Sequence, residues 1–125
     1  MDTGEIKDVI QTYFDAGYQS DGALMGETLH DAAHIIGIAV DDGAFINWEK
    51  NQFLEIVGSN PPGASENGYP YLGEIDSIEF TSENTAVARV RVRVVNTIFT
   101  DILSFIRLEG TWKIINKVFA GVPAV

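Results

Sequence analysis

Cysteine is absent from this sequence of 125 residues, and histidine occurs only twice. The chain therefore has no disulfide bond, no thiol nucleophile and no thiolate ligand for a metal ion. Neither histidine has an acidic partner at the spacing of a metal-binding motif, so we predict no metal site and no cofactor. Any chemistry must come from carboxylates, hydroxyls, amines and aromatic rings.

Basic residues are also scarce, with eight lysines and arginines against eighteen acidic residues and a formal net charge of −10. Such a surface repels phosphate backbones and anionic lipid headgroups, so we predict neither nucleic acid nor a membrane as a partner. No apolar run approaches the roughly 18 residues that span a bilayer. The opening residues, MDTGEIKD, contain no apolar leader, from which we expect a cytoplasmic protein.

The composition, 46% hydrophobic and 21% charged, is typical of a globular domain. We find no segment with the composition of a linker and expect one domain over residues 1–125. Apolar residues recur at intervals of three and four over residues 5–20, which predicts an amphipathic helix. Two shorter helices are predicted over residues 22–29 and 50–60.

Extended segments make up most of the remainder. The runs HIIGIAV and AFINWE, joined at Asp42-Gly43, predict a hairpin. Four further strands follow at close spacing, over residues 71–81, 85–95, 98–108 and 111–120. This order predicts an α+β fold in which a strongly curved antiparallel sheet carries the helices on one face. The turn-rich segment 58–70, GSNPPGASENGYP, is long enough to border a site.

The run FTDILSFIRLEGTWKIINKVF places one carboxylate, Asp101, among apolar residues. We take 96–97 and 109–110 as two-residue hairpin turns, which pairs Asp101 with Val92 on one side and with Val118 on the other. With this register, Asp101 and Asn116 lie on the apolar face of the sheet, and Lys117 and Phe119 lie on its outer face. The helices must cover the apolar face, because so much apolar surface is not stable in water.

An ionised carboxylate in the interior costs several kcal/mol unless it is paired or hydrogen-bonded. On the predicted register Asn116 lies diagonally across from Asp101, roughly 7–8 Å away. The candidate donors are Asn116 and the polar ends of Tyr13, Tyr18, His30 and Trp48. Asp101 is then either a structural acid held by such donors or an acid that contacts a ligand.

The first hairpin has one more uniformly apolar face, which we expect to point inward. It carries Ile35, Gly37 and Trp48, and we expect the indole to lie opposite Gly37 and fill the space above it. His34 lies on the other face. Three arginines alternate on the outer face of the sheet, where we expect them to pair with neighbouring acidic residues, including those of a second copy: Arg89, Arg91 and Arg93.

Three motifs near the C-terminus, together with LHDAAHIIGI after the second helix, carry a family resemblance. They are an aromatic-x-Asp run with Leu-Ser, a Gly-x-Trp-Lys-Ile turn and strand, and a final Asn-Lys-x-Phe. Their residues here are Phe99, Asp101, Leu103, Ser104, Gly110, Trp112, Lys113, Ile114, Asn116, Lys117 and Phe119. With these motifs the chain resembles the nuclear transport factor 2-like superfamily, and within it a bacterial branch named for lumazine binding.

The resemblance implies a cone, in which a bent sheet wraps around the first helix and leaves a cavity at its wide end. It also implies homodimers that form through the outer sheet face. The superfamily includes ketosteroid isomerases, dehydratases, polyketide cyclases and binding modules, so the fold leaves the activity open. Tyr13 or Tyr18 and Asp101 would correspond to the isomerase oxyanion hole. The position of the isomerase general base falls within residues 35–38, which are apolar here.

We therefore expect a small-molecule-binding protein with an apolar cavity, a dimer without an assigned reaction. Its expected wall contains Tyr13, Tyr18, Trp48, Phe53, Asp101 and Asn116. One alternative is an acid–base enzyme of the isomerase, dehydratase or cyclase type, in which Asp101 is the catalytic acid or base and a tyrosine or His30 assists. The other is a dimeric scaffold or partner-binding module.

Overall fold

Three helices precede or interrupt a six-stranded sheet in the computed structural model, which describes residues 2–59 and 68–124. The helices are α1 (Gly4–Gln19), α2 (Gly22–Thr28) and α3 (Lys50–Ser59). The strands are β1 (Leu29–Ile38), β2 (Phe45–Glu49), β3 (Gly73–Ser82), β4 (Thr85–Val94), β5 (Thr97–Leu108) and β6 (Thr111–Pro123). Most of the predicted loop 58–70 lies outside the described residues. No helix within the described ranges is long and apolar enough to cross a membrane.

The ends of the first two helices follow from local hydrogen bonds. The backbone N–H of Gly4 donates to Asp2 Oδ1 at 2.8 Å, and α1 ends at Gln19, followed by the C-cap residue Ser20, whose φ of 55° is left-handed. Asp21 then caps α2 by accepting a hydrogen bond from the N–H of Leu24 at 3.0 Å. These caps satisfy N–H groups that have no partner inside the helix.

The strand order is β2-β1-β6-β5-β4-β3, and every neighbouring pair is antiparallel except β1 and β6, which are parallel. Helix α1 packs against β4 and β6, and α3 packs against β1 and β2. The buried residues Ile6, Ile10 and Phe14 of α1 form the inner stripe that the sequence period predicts. The α+β class with a curved sheet and helices on one face is confirmed.

The predicted turn between β4 and β5 is wrong by one residue. Val95 and Asn96 form it, so Val94 pairs with Thr97 and Asp101 pairs with Val90 rather than Val92. Val95 has a φ of 53°, a costly conformation for a β-branched residue. The error moves the register by two residues, and an even shift leaves every side chain on its predicted face.

The register between β5 and β6 contains a β-bulge that the sequence analysis missed. The turn at 109–110 pairs Leu108 with Thr111 as predicted, but Ile115 is an extra residue, and Ser104 pairs with Asn116. The faces of the following residues are therefore inverted with respect to simple alternation. Asp101 lies opposite Phe119, not Val118.

The first hairpin has the predicted inner face but a different register. Trp48 lies opposite Ile35, and Gly37 lies opposite Ile46. The aromatic ring over Gly37 is that of Phe119 from the parallel neighbour β6, because a Cβ on Gly37 would lie 2.6 Å from two of its ring carbons. The expectation that Trp48 covers Gly37 is thus wrong, since the bulge turns Phe119 inward and the ring takes that place.

Replacing Gly37 by alanine should therefore lower the free energy of unfolding by about 1–3 kcal/mol, because the added methyl group overpacks against Phe119. Gly58→Ala in α3 is the matched control, since a Cβ there meets no atom within 4 Å and alanine favours a helix. Urea denaturation of both variants measures the difference. Equal stability of Gly37→Ala and Gly58→Ala would contradict the packing of Phe119 against Gly37.

Candidate functional site

A pocket of about 620 Å³ lies between the helices and the inner face of the sheet. Tyr13 and Tyr18 of α1, Trp48 of β2 and Phe53 of α3 line it, as the sequence analysis expected of the wall. Within the described residues the wall carries three charged side chains: Asp41, Arg93 and Lys117. The remainder is mostly apolar, so a bound molecule would exchange water for hydrocarbon and aromatic surface.

The aromatic part of the wall is an ordered stack. The ring of Trp48 is stacked with the rings of Phe53 and Phe119, each at a centroid distance of 6.4 Å. Phe119 also meets the edge of Phe99 at 5.6 Å. Tyr18 donates its hydroxyl hydrogen to the carbonyl oxygen of Tyr69 at 3.1 Å, which leaves the tyrosine ring as an apolar wall.

Asp101 is fully buried and lies behind this wall rather than on it. Tyr13 donates a hydrogen bond of 2.5 Å to its Oδ2, a length typical of a hydroxyl bonded to a carboxylate. Oδ1 has no hydrogen-bond partner among the described residues. Tyr13 is one of the donors predicted from the sequence, and this contact links α1 to β5.

Lys117 is the charged partner of Asp101. Its Nζ lies 3.6 Å from Asp101 Oδ2, and its side chain is 12% exposed. The bulge at Ile115 directs this lysine inward, although the sequence analysis placed it on the outer face. Burial lowers the pKa of Lys117, and the carboxylate of Asp101 opposes that effect.

Asn116 does not belong to the site, and the expectation that it lines the cavity and donates to Asp101 is wrong. It pairs with Ser104 one position before the inward-facing Lys117, so its side chain is on the opposite face of β6. The extra residue Ile115 is the physical reason, since it changes the parity of every later residue in the strand.

The two histidines lie away from Asp101. His30 accepts a hydrogen bond through Nδ1 from the N–H of Ala32 at 3.0 Å and lines a different depression that also includes Lys113. His34 is exposed, and its Nδ1 lies 3.0 Å from Asn47 Oδ1. The structure therefore does not bring His30 to the carboxylate, because the first residues of β1 run beside the far end of β6. No cluster of side chains in the described part of the chain could hold a metal ion.

The three alternating arginines differ from one another. Arg89 lies 3.5 Å from Asp76, and Arg91 contacts both Asp76 and Glu74 on the neighbouring strand β3. Arg93 instead lines the pocket, donates from Nε to the carbonyl oxygen of Val95 at 2.9 Å and lies over the ring of Tyr69. The expected pairing with acidic residues therefore holds within the chain for the first two only.

The family is now decided by comparison with known proteins. A family model described as "Putative lumazine-binding" matches residues 1–120 of this chain. The chain belongs to this lumazine-binding family. No curated protein matches it.

Solved structures share the fold of this lumazine-binding family member. A nuclear transport factor 2-like protein of unknown function from Shewanella baltica is 20% identical over 96% of this chain and 93% of its own, with a TM-score of 0.83. Another from Methylobacillus flagellatus is 28% identical over 95% and 90%, with a TM-score of 0.81. A ketosteroid isomerase-like protein from Erwinia carotovora atroseptica is 15% identical over 95% of each chain, with a TM-score of 0.72.

Most residues of the wall were not among those expected, and three of them lie on the inner side against the prediction: Arg93, Lys117 and Phe119. All three were assigned to the outer face by strict alternation. A signal for the last two was present, because Ile114 and Ile115 are adjacent apolar residues and one of them is surplus to the alternation. No comparable signal marks Arg93, whose position depends on the end of β4.

The free energy of unfolding of this lumazine-binding family member should decrease above pH 10 because of the buried hydroxyl of Tyr13. Burial raises the pKa of Tyr13 well above its usual 10.0, and the charge of Asp101 adds to this effect. The unfolded tyrosine loses its proton first, so its contribution to stability is complete below pH 10 and is lost as the pH rises toward the folded pKa. The difference in unfolding free energy between wild type and Tyr13→Phe should shrink above pH 10, by at most about 1.4 kcal/mol per pH unit.

Urea titrations from pH 8 to 11 measure this difference. The same pair in a Lys117→Met background is the control, because it removes the other titratable group in contact with Asp101. A difference that stays constant from pH 8 to 11 would contradict the assignment to Tyr13.

Proposed function

We propose that this chain binds a small planar organic molecule in the pocket between the helices and the sheet. The pocket itself is the observation that carries the proposal, since its volume of about 620 Å³ is within the range of about 300–1,000 Å³ typical of ligand sites. The stack of Phe53, Trp48 and Phe119 offers flat apolar surface against which an aromatic ligand can pack. The family description supports a bicyclic ligand, because lumazine is a planar molecule of two fused rings.

An acid–base enzyme acting on a carbonyl compound is the second candidate. The cluster of Tyr13, Asp101 and Lys117 favours it, because an acid–base reaction needs titratable groups within reach of each other. In this role Lys117 would face the substrate while Asp101 remains behind it. The likeness in fold to a ketosteroid isomerase-like protein is compatible with this candidate. Binding stands first because it requires the pocket alone.

Titration with lumazine, and with naphthalene as an apolar bicycle of similar size, tests the first proposal. Trp48 lines the pocket, whereas Trp112 packs against Phe80 and Arg107 elsewhere. In a Trp112→Phe background the remaining indole should be quenched saturably by at least one of the two probes. Fluorescence measured against probe concentration gives the dissociation constant.

Gly17→Leu is the matched variant. Gly17 lines the pocket, and an added Cβ would meet only the end of the Met25 side chain, at 3.9 Å. A leucine there should occupy the pocket and weaken probe binding about tenfold or more, without loss of stability, because leucine favours a helix more than glycine does. Equal dissociation constants for Gly17→Leu and its parent would show that the probes bind elsewhere and would contradict the proposal.

We also propose that two copies associate through the outer face of β1, β2 and β6. Large apolar side chains are exposed there, with Phe45 at 69% and Val122 at 59%. Ile38 pairs with Phe45, and Ile36 pairs with Val118, so these residues form a continuous patch across the three strands. A patch of this kind suits a second copy, because a twofold interface brings the same surface of both subunits together.

Val118→Lys should therefore convert a dimer into a monomer, because it places one charge from each subunit into the shared apolar interface. Leu108→Lys is the control, since Leu108 is similarly exposed but lies at the end of β5 away from the patch. Light scattering coupled to size-exclusion chromatography measures the mass. A wild-type monomer, or a Val118→Lys variant that stays dimeric, would contradict the proposed interface.

A further inference from the structure

The ammonium group of Lys117 lies on the pocket wall among aromatic rings. Its Nζ lies 4.6 Å from the ring centre of Phe53, 5.2 Å from that of Tyr13 and 5.7 Å from that of Phe119. Ring faces stabilise the positive charge but accept only weak hydrogen bonds. The nearest carboxylate oxygen, Asp101 Oδ2, is 3.6 Å away and already accepts the hydroxyl hydrogen of Tyr13.

The charge of Lys117 is therefore balanced, but most of its hydrogen-bonding capacity is unused within the protein. An ammonium group has three N–H donors. Among the described residues its nearest acceptor is Asp101 Oδ2 at 3.6 Å, a long contact that can satisfy at most one of the three donors. A donor that faces a largely apolar pocket in this state gains most from an acceptor carried by the bound molecule.

The electrostatics of the wall restrict the kind of acceptor. Within the described residues the two positive charges of the wall, Arg93 and Lys117, are matched in number by Asp41 on the wall and Asp101 behind it, and the ion pair among them is that of Lys117 with Asp101. Arg93 is also engaged with the carbonyl oxygen of Val95 and the ring of Tyr69. An anionic group beside Nζ would add a second negative charge next to the buried Asp101, and a ligand cation would be repelled by Nζ. A neutral oxygen acceptor avoids both costs.

We propose that the ligand is a neutral carbonyl compound, with its flat apolar body against the ring stack and its carbonyl oxygen accepting a hydrogen bond from Lys117 Nζ. This inference rests on the proposed function, because it requires that the pocket bind an organic molecule. It adds the chemical class of the ligand and the residue that recognises it. Lys117 then determines specificity, and Tyr13 and Asp101 position it.

A series of four probes with one aromatic body tests the inference: 2-acetylnaphthalene, 2-ethylnaphthalene, 2-naphthoate and 2-(aminomethyl)naphthalene. The first two have nearly the same shape and differ by the carbonyl oxygen. We expect 2-acetylnaphthalene to bind the wild type at least about tenfold more tightly than 2-ethylnaphthalene and the two charged probes, which is the range for a hydrogen bond to a charged donor. Quenching of Trp48 gives each dissociation constant.

Lys117→Met is the matched variant, with Lys7→Met on the exposed face of α1 as control. The preference for the acetyl probe should vanish in Lys117→Met, the affinity for 2-ethylnaphthalene should change no more than about threefold, and Lys7→Met should behave as the wild type. The carbonyl stretching band of bound 2-acetylnaphthalene should also lie at lower frequency in the wild type than in Lys117→Met, which a structural role of the lysine would not produce.

If Lys117→Met fails to fold, the affinities of the four probes for the wild type still test the inference. Equal affinity for the acetyl and ethyl probes would overturn the inference and leave the proposed function standing, since the pocket would bind without reading the carbonyl group. Tighter binding of 2-naphthoate would overturn it in favour of an anion site. Failure of all four probes to bind would overturn the proposed function and this inference together.

Discussion

The buried carboxylate of Asp101 is the constraint around which the inner face is arranged. Because an unpaired charge in the interior costs several kcal/mol, the chain must supply partners from other elements. Tyr13 comes from α1 and Lys117 from β6, so one side chain links the first helix to two adjacent strands in the sheet. Removing either partner would leave a buried charge or acceptor uncompensated. The same cluster fixes how closely α1 approaches the sheet, and the pocket begins on its far side.

Local patterns were sufficient to predict most of the architecture. The apolar period fixes α1, and the alternation of strands with short turns fixes the four-stranded part of the sheet. Strand alternation placed Asp101 on the inner face although the predicted β4–β5 turn was wrong, because a register error of two residues preserves the face. A bulge shifts the register by one residue and therefore does change the face of every later side chain. Ile115 adds one residue, and with it Asn116 and Lys117 exchange faces, so the residue predicted to bind is excluded and the residue predicted to be outside is on the wall.

The bulge could not be predicted from the strand alone because its stabilisation is not local. It directs Phe119 toward Gly37 on β1, where the missing Cβ makes room for the ring, and toward Trp48, with which the ring stacks. These partners precede Phe119 by 82 residues (119 − 37) and 71 residues (119 − 48). Strict alternation would instead bury Val118 and leave the space over Gly37 unfilled. Packing of this kind decides the register, and it becomes visible only when the sheet is assembled.

The bulge at Ile115 gives this pocket polar side chains other than those that the resemblance to an isomerase implies. The residues at 35–38, where the resemblance would put an isomerase base, are apolar, and Ile35 is buried opposite Trp48. Tyr13 is committed to Asp101, so it does not offer its hydroxyl to the pocket. The bulge instead turns the ammonium group of Lys117 toward the pocket. Because Lys117 and Phe119 are two residues apart on that face, the polar group and the ring stack move together. A change at Gly37, which does not line the pocket, would therefore displace both.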